Sequence, residues 1–284
     1  MTTAVAAPFR FFSLQVARTR RLGPSLVRVT FAGPDLHAFH SDGHDQSLSL
    51  FLPHPGQPEP VVPLELGDGW WQGWRELPDD VRAVMRSYTL RGLRRDPDEI
   101  DIDFALHGIG PGAGVQAGPA SRWAARAAAG DRVLLLGPAV ADNRAIRFRP
   151  PGDTDLVVVW GDETAVPAAS AIVEALPPGT RARVWLEVPH AGDIQDLVTE
   201  ADAEITWLVR EDRGAEGSPM ALDALRAARL PSAGRPYVWI AGESGCVKEL
   251  RRHFVRERGI DRRRVTFVGY WRRGMSEEQL RAER

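Results

Sequence analysis

The pattern of apolar runs changes near residue 150 of this 284-residue chain, and that change constrains the fold more than any other feature. Before it, short β-like runs separated by Gly and Pro turns follow one another, interrupted by one Ala-rich helical stretch at 120–129. After the segment 149–153, which reads Arg-Pro-Pro-Gly-Asp, apolar runs alternate with helical stretches. Successive strands indicate antiparallel β structure, whereas alternating strands and helices indicate a parallel sheet. We therefore expect two domains, 1–150 and 151–284.

The first half predicts a six-stranded antiparallel β-barrel. The predicted strands are 11–18, 26–31, 47–52, 85–91, 100–107 and 132–136. Within 100–107, Ile100, Ile102 and Phe104 alternate with Asp101 and Asp103. A period of two is typical of a strand with one buried face, so the acidic residues are expected to face outward.

The second half predicts an α/β doubly wound parallel sheet of the NAD(P)-binding-like kind. Its apolar runs are 156–160, 184–188, 205–209, 237–241 and 265–268. Helical periodicity is clearest in 165–176, 220–228 and 247–258.

Composition narrows the partners. A net charge of −2 gives no global basic surface, so neither nucleic acid nor an anionic membrane is expected as a partner. The single cysteine excludes an internal disulfide, and the seven histidines show no paired spacing, so we expect no protein-bound metal. The N-terminal residues lack a long apolar run, so we expect a cytoplasmic protein. We also expect it to be a monomer.

The tetrapeptide Arg86-Ser87-Tyr88-Thr89 lies at the end of a predicted barrel strand. Alternation places Arg86 and Tyr88 on one side of the strand. A guanidinium can bind a pyrophosphate with two hydrogen bonds, a tyrosine ring can lie against a flavin, and Thr89 can hydrogen-bond a flavin nitrogen. The alternative is an ordinary strand with a cross-strand arginine and a packed tyrosine.

A second element follows in the same domain. The strand around Asp103 and Phe104 leads through His107 and a glycine-rich loop into the helix start Gly118-Pro119-Ala120-Ser121. Small residues at a helix start leave backbone N–H groups open to an anion, with help from the helix dipole and the Ser121 hydroxyl. An ordinary capped helix after a loose loop would look similar. The two elements together favour a bound FAD.

Three further segments complete a resemblance that covers nearly the whole chain. They read Gly161-Asp162-Glu163-Thr164-Ala165-Val166-Pro167, Ala241-Gly242-Glu243-Ser244 and Gly269-Tyr270-Trp271-Arg272-Arg273-Gly274. With the two flavin elements, they resemble the siderophore-interacting protein family, FAD-dependent ferric-siderophore reductases of the ferredoxin-reductase-like superfamily. The acidic pair Asp162-Glu163 departs from the glycine-rich loop of many ferredoxin-reductase relatives, so a phosphate-binding role for this turn is left open.

The resemblance implies the following site residues. For FAD they are Arg86, Ser87, Tyr88, Thr89, Asp103, Phe104, His107, Gly118, Pro119, Ala120, Ser121, Thr164 and Trp271. For NADH or NADPH they are Gly161, Asp162, Glu163, Thr164, Arg210, Gly242, Glu243 and Ser244. Arg272 and Arg273 are expected to contact the siderophore, and the C-terminal tail is expected to return to the flavin.

Single residues in the second half admit two interpretations each. Arg210 stands at a strand end where it could bind a nucleotide phosphate or simply be solvated, and Glu187 would suit a ribose hydroxyl better than a phosphate. Cys246 could contact a nicotinamide, but a small buried helix-start residue is favoured. In the first half, Trp70, Trp71 and Trp74 are expected to form an aromatic packing cluster rather than a ligand platform.

The expected function is electron transfer from NAD(P)H through FAD to a ferric siderophore, which releases Fe(II), with no catalytic side chain. One alternative is a general NAD(P)H:flavin or ferredoxin-type reductase. Another is a non-catalytic flavin- or siderophore-binding module, in which case ferredoxin could supply the electrons.

Overall fold

A computed structural model describes residues 7–109, 117–211 and 219–275. The chain divides into two compact units, one formed by residues up to 21 and 26–145, the other by residues 22–25 and from 146 onward. Each unit has an apolar core of its own. The two-domain fold class is confirmed, and the units change over a little before the predicted boundary at 150.

The first unit is an antiparallel half-barrel. Its strands are β1 (Phe9–Arg21), β2 (Leu26–Ala32), β3 (Ser47–Leu52), β4 (Val84–Thr89), β5 (Gly92–Arg94), β6 (Glu99–Ala105) and β7 (Arg132–Pro138). They form a seven-stranded sheet in the order β4-β3-β7-β1-β2-β6-β5. The six predicted strands are all present. The seventh, β5, has three residues and no apolar alternation, which is why the sequence did not indicate it.

Two helices cover this sheet. Helix α1 (Trp70–Glu76) buries Trp74, whose indole N–H donates to the Ala83 carbonyl over 3.2 Å and whose ring meets Phe51 edge-on. The tryptophan segment therefore contributes aromatic packing, as expected, although Trp71 remains 38% exposed. Helix α2 (Pro119–Arg126) is held by Trp123, whose ring stacks on Phe31 in the half-barrel core.

The expectation of a solvated acidic face on β6 was wrong, because this strand is buried on both sides. Ile100, Ile102 and Phe104 enter the core, while the opposite face is covered by ion pairs. These pairs are Arg18–Glu99, Arg94–Glu99, Arg94–Asp101, Arg28–Asp103 and, at 3.8 Å, Arg91–Asp103. Arginines from β1, β2 and β5 thus shield carboxylates that the alternation had placed in solvent.

The second unit is a five-stranded sheet whose pairs are all parallel, in the order β10-β9-β8-β11-β12. The strands are β8 (Leu156–Gly161), β9 (Arg181–Val188), β10 (Asp202–Val209), β11 (Pro236–Glu243) and β12 (Val265–Trp271). The helices are α3 (Val166–Glu174), α4 (Pro219–Ala227) and α5 (Ser244–Arg252). The predicted doubly wound sheet is confirmed.

Strand order reverses between β8 and β11, and this position sets where a ligand can bind. In open α/β sheets the crevice lies outside the carboxyl ends of the strands at such a reversal. The site residues that were predicted in this half lie at the carboxyl ends of β8, β10, β11 and β12 or directly after them.

Candidate functional site

In the first unit, the end of β4 carries the predicted flavin tetrapeptide. Val84 and Tyr88 pack on the half-barrel core, so alternation puts Arg86 on the same side. Arg86 is half-buried and donates to the Met85 carbonyl over 2.7 Å. The Tyr88 ring packs against Phe104 with 4.4 Å between centroids and stays partly exposed. Ser87 is exposed, whereas Thr89 is buried.

The start of α2 is open to an anion. Gly118 is the N-cap, no side chain caps this end of the helix, and Pro119 contributes no N–H. A Cβ added to Gly118 would meet no heavy atom of the described residues within 4 Å, so these residues leave space in front of the helix. The Ser121 hydroxyl donates to the Ala105 carbonyl over 3.2 Å and ties the helix to β6. Backbone amides, rather than this hydroxyl, are therefore the donors left for a phosphate.

Two residues predicted to bind FAD, Asp103 and Phe104, have side chains that are already engaged within the protein. The Asp103 carboxylate accepts two hydrogen bonds from Arg28, at 2.7 and 2.8 Å, and the Phe104 side chain is fully buried. Contact of these two residues with FAD remains a prediction, and it would have to involve their backbone. His107, by contrast, is exposed just after β6.

The described residues of this unit suit FAD. A guanidinium, a partly exposed tyrosine ring and an uncapped helix start with room before it supply the charge, stacking surface and N–H donors that a flavin dinucleotide needs. Within the described ranges, no group of three or more His, Cys, Asp or Glu side chains is placed to hold a metal ion. No helix there reaches the length and apolarity of a bilayer span.

In the second unit, Asp162 links the carboxyl ends of three strands. Its Oδ1 accepts from the Thr164 amide and hydroxyl, at 3.0 and 2.6 Å. Its Oδ2 accepts from the Glu243 amide at 2.7 Å and from the Trp271 indole at 2.8 Å. Asp162 is 3% exposed, and burial, together with the Glu163 carboxylate, raises its pKa to about 7 against these hydrogen bonds. We call Asp162 with these three partners the Asp162 cluster.

Glycines make the Asp162 cluster possible. Gly242 has φ +142°, and a Cβ there would lie 2.5 Å from the Asp162 carboxyl carbon. A Cβ at Gly269 would meet the Ser244 hydroxyl at 2.5 Å, and that hydroxyl donates to the Trp271 carbonyl over 2.8 Å. The glycines that the family resemblance singled out therefore allow close approach between protein groups.

The first turn of this sheet uses several of its backbone amides in hydrogen bonds within the protein. The Asp162 carbonyl accepts from the amides of Ala165 and Val166, the next residue is Pro167, and the Thr164 amide is bonded to the Asp162 side chain. The Glu243 carboxylate likewise caps α5 at the Cys246 amide over 2.9 Å. These four backbone amides of the two turns are thus already bonded within the protein. Contact of Gly161, Asp162, Glu163, Thr164, Gly242, Glu243 and Ser244 with NADH or NADPH remains a prediction.

A second charged group lies beside this turn. Arg210 donates from Nη1 to Glu163 at 2.7 Å and to Glu187 at 3.1 Å, and its Nη2 lies 2.7 Å from Glu163. Both carboxylate side chains are 4% exposed and that of Arg210 is 21% exposed. Burial raises the pKa of Glu187, although the Arg210 charge opposes this, and the two carboxylates raise the pKa of Arg210. We call these residues the Glu163–Arg210–Glu187 cluster.

The remaining predicted residues lie near the end of the described chain. Arg272 and Arg273 are exposed directly after β12, whereas Cys246 is 3% exposed within the core, as favoured from the sequence. Residues 276–284 of the expected C-terminal tail lie outside the described residues. Contacts of Thr164 and Trp271 with FAD remain predictions.

The sequence indicated the segments of the candidate site better than it indicated which side chains bond one another there. It did not indicate the arginines Arg28 and Arg94 that cover β6, nor the bond between Asp162 and Trp271, which are 109 residues apart. Acidic residues at every second position of β6, with arginines in the neighbouring runs, were the available signal for the ion pairs. Nothing local could indicate the Asp162 bond.

Comparison with known proteins finds matches over both units. Residues 15–142 match the siderophore-interacting FAD-binding domain and residues 154–274 the siderophore-interacting protein family. The ferric vibriobactin reductase of Vibrio cholerae is 31% identical over 95% of this chain and 93% of its own length. The NADPH-dependent ferric-chelate reductase of Escherichia coli is 30% identical over 92% and 93%.

A solved structure supports the fold. A siderophore utilization protein from T. fusca shares 33% identity, with a TM-score of 0.73 and 95% of each chain covered. The resemblance predicted from the five sequence segments is confirmed by these matches.

Proposed function

Because the chain belongs to the siderophore-interacting protein family, we propose that it is an FAD-dependent reductase of ferric siderophores that takes its electrons from NADH or NADPH. The proposal rests on two elements, the end of β4 with Arg86 and Tyr88 and the uncapped start of α2. Both lie inside the segment that matches an FAD-binding domain. Relatives named for reducing ferric chelates supply the acceptor class.

The side chains of the first unit bind and orient the cofactor. Arg86 would neutralise pyrophosphate charge, and the amides at the start of α2 would donate to phosphate oxygens. Tyr88, packed against Phe104, would offer its ring to the flavin. Bound FAD would supply the redox chemistry, namely hydride acceptance from the nicotinamide and single-electron transfer to Fe(III). No protein nucleophile is needed.

The exposed pair Arg272 and Arg273 supplies positive charge where the described chain leaves β12. Many ferric chelates are anionic, and guanidinium groups bind carboxylate and catecholate oxygens through charge-assisted hydrogen bonds. Chelated Fe(III) is the substrate, and its reduction to Fe(II) weakens the hold of hard oxygen ligands and frees the metal.

The test uses the purified protein as isolated. Its visible spectrum should contain flavin bands, which should bleach when NADH or NADPH is added anaerobically and return when a ferric siderophore follows. Brisk reoxidation by a redox protein, with none by catecholate or hydroxamate siderophores, would instead support a general reductase.

Bands that stay oxidised with both nicotinamides would contradict the donor. Addition of reduced ferredoxin in the same cuvette would then show whether a protein donor replaces it. If no electron source bleaches the bands, the chain is a binding module rather than an enzyme.

A further inference from the structure

The Glu163–Arg210–Glu187 cluster lies across the carboxyl ends of three adjacent parallel strands. Glu163 follows β8, Glu187 is the penultimate residue of β9, and Arg210 comes directly after β10. The Arg210 amide donates to the Val188 carbonyl over 3.0 Å, which fixes the backbone of the arginine beside Glu187. Three short contacts, at 2.7, 3.1 and 2.7 Å, then hold the guanidinium between the two carboxylates.

This edge is where a parallel sheet distinguishes the two nicotinamide dinucleotides. In doubly wound folds, a carboxylate at the end of the second strand bonds the ribose 2′-hydroxyl of NADH, whereas a nearby arginine accommodates the 2′-phosphate of NADPH. In this sheet β9 is the second strand, since the order is β10-β9-β8-β11-β12. Both kinds of residue are present here, so their mutual contacts decide the preference.

Charge and hydrogen bonding both favour the hydroxyl. The guanidinium already bonds two nearly buried carboxylates, and two carboxylates against one arginine leave the cluster with a net negative charge. A phosphate would have to break these contacts and face the carboxylates they released. Even with a proton on Glu187, Glu163 alone would balance the arginine.

An unused acceptor points the same way. The Glu187 Oε2 is buried and has no hydrogen-bond partner among the described residues. A carboxylate oxygen accepts hydrogen bonds, so it matches a hydroxyl donor and repels a phosphate. The cluster thus contains one acceptor, Glu187 Oε2, that has no donor among the described residues. Its cation, Arg210, already bonds both carboxylates.

We propose that the Glu163–Arg210–Glu187 cluster makes this chain select the donor that carries a free 2′-hydroxyl, NADH, over the 2′-phosphorylated NADPH. This inference rests on the proposed function and deepens it. Arg210 acts in it as a counter-ion that holds Glu163 and Glu187 in place.

The first experiment measures kcat/KM of the FAD-loaded protein with NADH and with NADPH at a fixed ionic strength. We expect a preference for NADH of about tenfold or more, which corresponds to one repelled charge. Glu187→Gln should lower the ratio by raising kcat/KM for NADPH. Glu204→Gln is the matched control. Glu204 lies on β10, its side chain is 69% exposed, and its carboxylate lies 3.0 Å from the Arg183 guanidinium. A preference for NADPH, or an equal shift in both variants, would overturn the inference.

A second readout does not depend on flavin reduction. Calorimetry should show that 5′-AMP binds more tightly than 2′,5′-ADP, and that Glu187→Gln narrows the difference. Tighter binding of 2′,5′-ADP, or binding of neither nucleotide, would overturn the inference. If neither NADH nor NADPH bleaches the flavin while 5′-AMP is still preferred, the donor in the proposed function fails and the selectivity stands.

Discussion

Charged side chains differ in how many of their hydrogen-bonding atoms are already bonded within the protein. This difference decides which of them can contact a ligand. Arg86 retains part of its surface at the end of β4, whereas Asp103 gives both carboxylate oxygens to Arg28. Contact with FAD was predicted for Arg86 from its place at the end of a strand and for Asp103 from the family resemblance. The difference comes from Arg28, which lies 75 residues before Asp103 in the sequence and bonds its carboxylate.

Arg86→Ala should weaken FAD binding by about 2–3 kcal/mol, because one charge-assisted contact to the pyrophosphate is lost. Fluorescence titration of the apoprotein with FAD measures this change. Arg132→Ala is the control, since Arg132 is an exposed β-strand arginine whose side chain is 67% accessible. Equal FAD affinity in the two variants would remove Arg86 from the site.

At the scale of elements, the ends of β8, β11 and β12 are locked together by the Asp162 cluster. This arrangement requires glycine at position 242. The backbone there has φ +142°, and a Cβ would lie 2.5 Å from the Asp162 carboxyl carbon. The sequence indicated these strand ends as a functional edge. It did not indicate that their glycines and acids satisfy one another, because such contacts depend on how strands far apart in the chain are ordered in the sheet.

Gly242→Ala should therefore destabilise the second unit by about 2 kcal/mol or more, from backbone strain and steric overlap with Asp162. Gly152→Ala should change stability by no more than about 0.5 kcal/mol, since a Cβ there meets nothing within 4 Å. Urea unfolding followed by circular dichroism compares the two. A Gly242→Ala protein as stable as the wild type would show that the Asp162 cluster does not hold these strand ends.

At the scale of the whole molecule, one buried aspartate in each unit is expected to make stability depend on pH, and the two dependences have opposite signs. In the first unit, burial alone would raise the pKa of Asp101, but hydrogen bonds from Arg94 and Thr30 outweigh it and lower the pKa. This contribution to stability is present above the unfolded pKa and is lost on acidification below about pH 4. In the second unit, the pKa of Asp162 is raised to about 7, so its contribution is greatest in acid and is lost as the pH rises towards 7.

Hydrogen exchange measured peptide by peptide tests this contrast. After correction for intrinsic exchange rates, peptides of β8 and β11 should be better protected at about pH 5 than at about pH 8. Peptides of β2 and β6 should lose protection only below about pH 4, and Asp101→Asn should flatten that loss. Equal protection of β8 and β11 at both higher pH values would contradict a raised Asp162 pKa.

The sequence by itself determined the two-domain layout, six of the seven strands of the half-barrel, the five strands of the parallel sheet and the segments that form the candidate site. Hydrophobic period, glycine and proline turns and helix-start residues act over a few positions, so they can be read locally. The tertiary structure alone decided that Asp103 pairs with Arg28, that Asp162 holds Trp271 and that Arg210 lies between Glu163 and Glu187. A charged group bonds whatever the fold brings within about 3 Å of it, and that neighbour comes from a distant part of the chain.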